Sequence, residues 1–418
     1  MNFAAPIDSE QVFLAQAQFL CQGGELLPGG APMLAKRLQR AAETTTPLKV
    51  KLGLDPTRPD LHLGHTVVLK KLRAFQDLGH QAILIIGDST AMIGDPSGRS
   101  VTRPPLTEEE VRQNAQTYLS QAEKVIDVRK AKIVYNSDWL KDLNLSDFLR
   151  LASQVTVAQI LAREDFSTRL RENQPIALHE LFYPLMQGYD SVMLDADIEL
   201  GGTDQRFNNL MGRELQMAYG RQADPQMVLL MPLMEGTDGK IKMSKSYPEH
   251  CINLTDSPDE MLGRLMSIPD TLLPRYELLL GLMDEQQLQE QTEQIASGGV
   301  NPRDIKMNLA KYLVSQYHSP EAAEAAEQAF ITRFQKREIP DEMPEVLLVA
   351  QVPHELTALM VAHELASSRN EARRLIQGGG VKLDGQKIEN PDGTLLASVG
   401  DLQVLQVGKR KFLRLKFQ

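Results

Sequence analysis

The sequence predicts an α/β fold built on an open, doubly wound parallel sheet, and three observations carry that prediction. Residues 49–54 (KVKLGL), 81–87 (QAILIIG) and 226–231 (QMVLLM) are short apolar runs bounded by Gly, Pro or Asp, the pattern of strands buried on both faces. Between the first two lies HTVVLKKLRAFQDLG, residues 65–79, with apolar positions at helical spacing and Gly79 placed to end the helix. Strand, helix and strand in that order form a right-handed βαβ unit, and repeating the unit puts helices on both faces of one sheet.

The other elements follow in chain order. TEEEVRQNAQTYLSQAEKVI, from Thr107, begins with a capping box of Thr107 and Glu110. SDFLRLASQVTVAQILAREDFSTRL, from Ser146, reads as one or two amphipathic helices, so residues 105–195 or so are expected to form a helical insertion between the two halves of the sheet. From Ser257 to Glu338 the pattern is helical almost throughout, and SPDEMLGRLM supplies a capped, acidic first turn. REIPDEMPEV, residues 337–346, is Pro-rich and acidic, as an extended linker is. Two helices are expected in LTALMVAHELASSRNEARRLIQGGG, and short alternating strands in VKLDGQKIENPDG, VGDLQVLQVG and KRKFLRLKF. The division that results is a sheet domain at 1–240, an α-helical domain at 241–336, a linker at 337–352 and a small α+β domain at 353–418.

Composition bounds the function classes. A chain of 418 residues with 42% hydrophobic and 24% charged residues is expected to be soluble, globular and multi-domain. No apolar run approaches the length of a membrane span, and MNFAAPIDSEQVF lacks the basic and apolar regions of a secretion signal. Cys21 and Cys251 are far apart and without metal-ligand spacing, so a reduced, cytoplasmic protein is expected. The net charge of −10 is uneven, because residues 353–418 hold ten Lys or Arg against seven Asp or Glu. Lys409, Arg410, Lys411, Arg414 and Lys416 cluster there, on an otherwise acidic chain.

Two stretches carry chemistry. In LDPTRPDLHLGHTVVLKKL, His62 and His65 flank Gly64 where a strand feeds a helix, at the carboxyl edge of the expected sheet. They could be two ligands of a metal site, but no third ligand accompanies them at suitable spacing. They could be packed core histidines, although Gly64 points to a close approach by something. The reading with most support is nucleotide phosphate binding, since free N–H groups and the helix dipole favour an anion there. The second stretch, GKIKMSKS, follows the last core strand and sets Lys242 and Lys245 on a Gly-flanked loop that can close on a polyphosphate. A lysine-rich surface loop is the alternative. Tyr183, Gln187 and Asp190 fall at i, i+4 and i+7, on one face of one helix, bordered by Leu185, Met186 and Met193.

HLGH at the first strand-to-helix turn together with KMSKS after the last strand resembles the signature pair of class I aminoacyl-tRNA synthetases. LGLDPTRPDLHLGH, TAMIGDPSGRS, YPLMQGYD and GGTDQRFN, in this order, resemble the bacterial tyrosyl-tRNA synthetase family, and SRNEARRLIQGGGVKLDGQ resembles an S4 RNA-binding domain. The resemblance implies a Rossmann-like catalytic domain, a dimer-forming insertion, an anticodon-binding helical domain and an S4-like end.

It also implies roles. Thr57 and His62 would meet the γ-phosphate of ATP, and His65 and Gly64 the ribose and adenine. Asp204 would accept from the ribose hydroxyls, with Gly202 against the adenosine and Gln205 near the substrate carbonyl. Met243 and Ser244 would line the ATP site. Arg99, Arg103, Lys242 and Lys245 would close on pyrophosphate. Asp95, Tyr183 and Gln187 would hold the amino acid's ammonium, and Asp190 its phenol. One position departs from the family: Lys51 stands where many members carry a second phenol-binding tyrosine. The implied activity is tyrosine activation by ATP with Mg²⁺ and transfer to tRNA, in a homodimer with no tightly bound cofactor, no protein metal site and no membrane partner. The rivals are a synthetase for another amino acid, tryptophan first, and a non-catalytic RNA-binding relative.

Overall fold

The computed structural model describes residues 9–96, 106–336, 343–408 and 411–418. Six strands form the first sheet: β1 (Glu25–Leu27), β2 (Lys49–Leu54), β3 (Gln81–Ile86), β4 (Lys132–Tyr135), β5 (Ile198–Gly202) and β6 (Met227–Met231). Their order is β1-β6-β5-β2-β3-β4. β2 to β6 are parallel, as expected, whereas β1 runs antiparallel on the edge beside β6. The sheet is therefore mixed, not wholly parallel. β1 is a three-residue return between two helices, Ser9–Cys21 and Gly30–Glu43, that pack on each other, so it had no apolar run to announce it.

β3 is almost entirely dry, with Ala82 to Ile86 buried, because helices cover both faces of a parallel sheet. The chain lays β2, β3 and β4 outward in one direction, then returns to place β5 and β6 on the other side of β2. Strand order thus reverses between β2 and β5, and their carboxyl ends open a crevice. The helix Leu63–Asp77 starts at this crevice, two residues before the expected residue 65, with His62 as its N-cap. Gly79, at φ +85°, ends it as read from the sequence.

The insertion is helical but more broken than expected. The Thr107 and Glu110 capping box is present, with Thr107 N donating to Glu110 Oε2 at 2.8 Å, yet the helix stops at Gln116 and restarts as Tyr118–Ala122. The stretch from Ser146 gives three helices, Leu145–Ala152, Val157–Leu161 and Glu164–Arg171, the first capped by Asn144. Then Tyr183–Leu194 packs closely on Arg206–Ala218. Glycines permit that approach. A Cβ on Gly188 would stand 2.8 Å from Leu215 Cδ1, and one on Gly212 would stand 2.5 Å from Ser191 Oγ.

Pro258–Ser267, capped by Ser257 and Glu260 as expected, begins a run of helices through Leu273–Leu279, Glu285–Ala296 and Pro302–Tyr317. These belong to the first compact unit, Met1–Ala326.

The second unit, Glu327–Gln418, has its own core, with Met360, Ala372, Ile376, Leu405 and Leu415 at its centre. Its strands are β7 (Glu345–Leu348), β8 (His354–Glu355), β9 (Val381–Leu383), β10 (Gln386–Lys387), β11 (Thr394–Leu395), β12 (Leu402–Val407) and β13 (Lys411–Phe417). They form a five-stranded sheet, β10-β9-β12-β13-β7, and a two-stranded one, β11-β8. β7 falls inside the stretch read as linker. Its Val346 and Leu348 alternate inward and pair in register with β13, which draws it into the sheet. Helices Leu356–Ala362 and Arg369–Gln377 complete the unit, and the glycines after Gln377 end the second. The basic cluster is partly spent on its own unit: Arg414 and Lys416 both pair with Glu345, and Lys411 Nζ donates to Glu364 O at 2.8 Å. Lys409 and Arg410 lie outside the described residues.

Candidate active site

At the carboxyl ends of β2 and β5 lies a cavity of about 760 Å³, and all fifteen expected site residues that fall among the described ones line it. Arg99 and Arg103 lie outside the described residues. The rest come from five separate segments of chain, which the strand reversal brings to one crevice.

The rim holds the two signature stretches. His62 N–H donates to His65 Nδ1 at 3.2 Å, and the two rings lie 3.9 Å apart between centroids. Burial pushes the His62 imidazole down to about 3, helped by the nearby Lys245 and Lys242, and burial likewise drives His65 well below the ordinary histidine range. Both rings are therefore neutral at physiological pH. His62 Nδ1 is buried without a protein partner. The close approach expected at Gly64 is made by the His62 ring itself, since a Cβ there would stand 3.0 Å from its Cε1 and Nδ1. No group of three or more His, Cys, Asp or Glu among the described residues is placed to hold a metal ion.

The lysine loop is docked on protein groups. Lys242 Nζ pairs with Asp204 Oδ2 at 2.8 Å. Lys245 donates to the Tyr118 hydroxyl, with its ammonium 4.5 Å from that ring's centroid. Tyr118 in turn donates to the carbonyls of Arg58, at 2.8 Å, and Asp55, at 3.2 Å, so one buried phenol ties the lysine loop to the turn that bears Thr57. The Cys251 thiol donates to the Ser244 carbonyl at 3.1 Å, which fixes the loop from behind. Gly202 leaves no space for a side chain: a Cβ would lie 2.7 Å from Asp204 Oδ1.

The floor is acidic and enclosed. Asp95 Oδ2 accepts from Gln205 Nε2 at 2.7 Å, and the buried Arg163, from the insertion, reaches its other oxygen at 3.7 Å. Tyr183 OH donates to Asp55 Oδ2 at 2.9 Å, while Thr90 donates to Oδ1 at 2.8 Å. Burial pushes the Asp55 carboxyl up to about 7 in spite of those two donors. Asp190 accepts from Trp139 Nε1 at 2.8 Å and from Asn136 Nδ2 at 3.4 Å, and burial pushes it up to about 7 as well.

Asp55, Trp139, Asn136, Glu199 and Tyr118 belong to this site and were not read from the sequence. Two of them had a signal: Asp55 sits inside LGLDPT directly after β2, and Glu199 is a lone acid in a buried strand, which demands a partner. Trp139, Asn136 and Tyr118 reach the site from the insertion, by tertiary folding alone.

A mixed sheet whose strand order reverses beside a helix N-terminus, with a lysine-bearing loop on the same cavity, is the arrangement of a class I synthetase catalytic unit. Residues 43–335 match the family model for tRNA synthetases class I (W and Y), and the chain belongs to that family. Residues 356–398 match the S4 domain. The chain is 50% identical over 407 residues to the tyrosine–tRNA ligase of Moorella thermoacetica, covering 97% of each, and 52% identical over 368 residues to that of Shewanella oneidensis, covering 88% of this chain and 91% of the relative. Among solved structures, the fold is similar to an Archaeoglobus fulgidus tyrosyl-tRNA synthetase complexed with L-tyrosine, with TM-score 0.58 and 22% identity, covering 75% of this chain and 99% of that one. It is also similar to a truncated mitochondrial enzyme of Coccidioides posadasii, with TM-score 0.60 and 20% identity, covering 76% and 91%.

Proposed function

We propose that the protein is a tyrosine–tRNA ligase that joins L-tyrosine to ATP, releases pyrophosphate and passes the tyrosyl group to tRNA. The observation that carries this reading is one cavity that unites the HLGH and KMSKS segments with a buried carboxylate, Asp190, on its floor. A tyrosine phenol donating to Asp190 sets the amino acid's orientation. Asp95, Tyr183 and Gln187 receive its ammonium, and its carboxylate then faces the α-phosphorus of ATP. A carboxylate oxygen attacks that phosphorus in line, and pyrophosphate leaves. In the second step a hydroxyl of the terminal tRNA ribose attacks the tyrosyl carbonyl and AMP leaves.

No side chain acts as a nucleophile. Holding both reactants side by side and stabilising the departing charge is sufficient for such chemistry. Because His62 and His65 are neutral, they offer hydrogen bonds to the nucleotide and no charge. The positive charge comes from Lys242 and Lys245, which exchange Asp204 and Tyr118 for pyrophosphate oxygens. Asp204, once released, accepts from the ribose hydroxyls. Gly64 and Gly202 keep the adenosine side of the cleft open, with Met243 and Ser244 alongside, and Thr57 donates to the γ-phosphate. Arg99 and Arg103 add to the pyrophosphate clamp. Mg²⁺ arrives on the ATP phosphates as part of the substrate and needs no cage of protein ligands.

The domain assignments complete the reading. The helical stretch 241–336 and the S4-like end bind tRNA, and the insertion joins two copies through exposed apolar side chains such as Leu145, Leu149, Val157 and Leu170. No helix among the described residues is long and apolar enough to cross a membrane.

The test is amino-acid-dependent exchange of pyrophosphate into ATP. Exchange with tyrosine alone is expected. Exchange driven by tryptophan would replace the substrate, and no exchange with any amino acid would leave a binding protein. Sedimentation at micromolar concentration is expected to give a dimer.

A further inference from the structure

We propose that Lys51 and Glu199 form a charge-setting pair beneath the amino-acid pocket, in which Lys51 keeps Asp190 in the ionised form that accepts the substrate's phenol proton. The inference rests on the assignment of the phenol to Asp190.

The parallel register of β2 and β5 places Lys51 directly opposite Glu199. Lys51 Nζ lies 3.1 Å from Glu199 Oε1, with the side chains only 1% and 3% exposed. The same ammonium donates to the carbonyl of Gln187, at 3.4 Å, on the helix that carries Asp190. Glu199 Oε2 accepts from Ser191 Oγ, beside Asp190, at 3.2 Å, and from the Gln226 amide. Two carboxylates and one ammonium are thus buried together beneath the cavity, Lys51 and Glu199 within their strands and Asp190 on the helix above. Removing either member of an enclosed ion pair leaves its partner's charge uncompensated, and a buried titratable group that feels both charges then responds.

That group is Asp190. Trp139 Nε1 faces one of its oxygens and Asn136 Nδ2 the other, an arrangement suited to a carboxylate, because a carboxylic acid would turn its own proton against one of those donors. Burial nevertheless pushes Asp190 up to about 7, with Lys51 pulling it down, the two donors doing likewise and Glu199 pushing it up. Lys51 and Glu199 thus act on Asp190 with opposite signs, beside the burial and the two donors. The other acids nearby answer to other partners: Asp88 accepts from Ser137, and Asp55 from Thr90 and Tyr183. Lys51 and Glu199 are positioning residues, since neither is required to touch the substrate.

The experiment follows kcat/KM for tyrosine in pyrophosphate exchange from pH 5.5 to 9, on the full chain. Activity that needs ionised Asp190 is present above its pKa and lost as pH falls through it. Lys51→Met is expected to move this acid limb up by about one pH unit, Glu199→Gln to move it down by about one, and the double variant to return it close to wild type. Burial pushes Asp55 up to about 7 too, but neither Lys51 nor Glu199 is among the groups that set it, so its contribution stays in place. Loss of activity in both single variants with an unmoved limb would overturn the inference and reduce the pair to a packing role. Should Lys51→Met fail to fold by circular dichroism, Glu199→Gln and the charge-free double variant still decide the matter. Asp190→Asn separates the two readings. If it keeps the preference for tyrosine over phenylalanine, the phenol assignment itself fails. If it loses that preference while the limbs of the pair variants stay fixed, only the inference about the pair fails.

Discussion

The floor and the rim of the same cavity are stabilised in opposite ways. On the floor, Asp190, Glu199 and Lys51 are enclosed, and each has its donors or acceptors already in place. On the rim, Lys242 and Lys245 are satisfied by Asp204 and Tyr118, groups they must leave for the lysines to meet a phosphate. On the proposed function, the floor is preorganised for recognition, and the rim holds interchangeable contacts suited to a pyrophosphate that separates during reaction. Substitutions on the floor should therefore alter which amino acid is used, and substitutions on the rim how fast it reacts.

The largest expected effect is on the floor. Enzymes specific for tyrosine are the reference case for rejecting phenylalanine by roughly 10⁴–10⁵-fold, through buried polar groups that phenylalanine leaves unpaired. Asp190→Ala should collapse most of that ratio, chiefly by losing tyrosine activity, with the KM for ATP nearly unchanged. An unchanged ratio in competitive exchange assays would place phenol recognition elsewhere.

Next in size is the rim. Lys245→Ala should slow adenylate formation by about 10²–10³-fold while tyrosine affinity stays within a few-fold, because the role proposed for the lysine is at the departing pyrophosphate. Pre-steady-state rates with equilibrium tyrosine binding measure both quantities. A normal rate with weakened tyrosine binding would blur the division between floor and rim. Lys242→Ala should do less harm, since it also frees Asp204 for the ribose.

A smaller effect is expected at the joint between the lysine loop and the turn after β2. Tyr118→Phe keeps the ring over which Lys245 lies but removes the hydroxyl that bonds the carbonyls of Arg58 and Asp55, so the adenylation rate should fall by about two- to tenfold, the size of one such neutral hydrogen bond, with no change in amino-acid preference. An altered tyrosine-to-phenylalanine ratio would show that the joint also shapes the floor.

The smallest effect concerns stability against pH. His62 is neutral in the fold down to about 3, while an exposed histidine takes a proton near 6.5, so between those values the unfolded chain binds more protons and the fold loses stability as pH drops. Asp55 and Asp190 act the other way, holding protons in the fold up to about 7. Replacing His62 by Asn should therefore reduce the fall in Tm between pH 6.5 and 5. A steeper fall in thermal melts would mean that the ring is charged in the fold.

The sequence made much of the rim legible and less of the floor, for a physical reason. HLGH and KMSKS are local patterns whose chemistry depends on neighbours in the chain: a helix start and a glycine-flanked loop. Tyr183, Gln187 and Asp190 were legible too, since helical spacing alone puts them on one face. The partners of Asp190 were not, because Trp139 and Asn136 follow β4 and are brought in only when β4 pairs with β3. The same holds for Lys51 and Glu199, 148 positions apart and adjacent only through strand register. β5 itself, IELGG, escaped notice because a glutamate and two glycines interrupt its apolar character, and those are the residues the site uses.

Gly188 and Gly212 set a condition on moving this pocket elsewhere. An engineer who copied every side chain that meets the amino acid into another scaffold, and kept an ordinary alanine at either glycine, would push the helices Tyr183–Leu194 and Arg206–Ala218 apart. At residue 212 the added methyl would stand 2.5 Å from Ser191 Oγ, 2.8 Å from Gln226 Nε2 and 3.1 Å from Glu199 Oε2. The portable unit is therefore a pair of helices at close spacing with the strand beneath them, and the missing methyl groups belong to its specification as much as any carboxylate does.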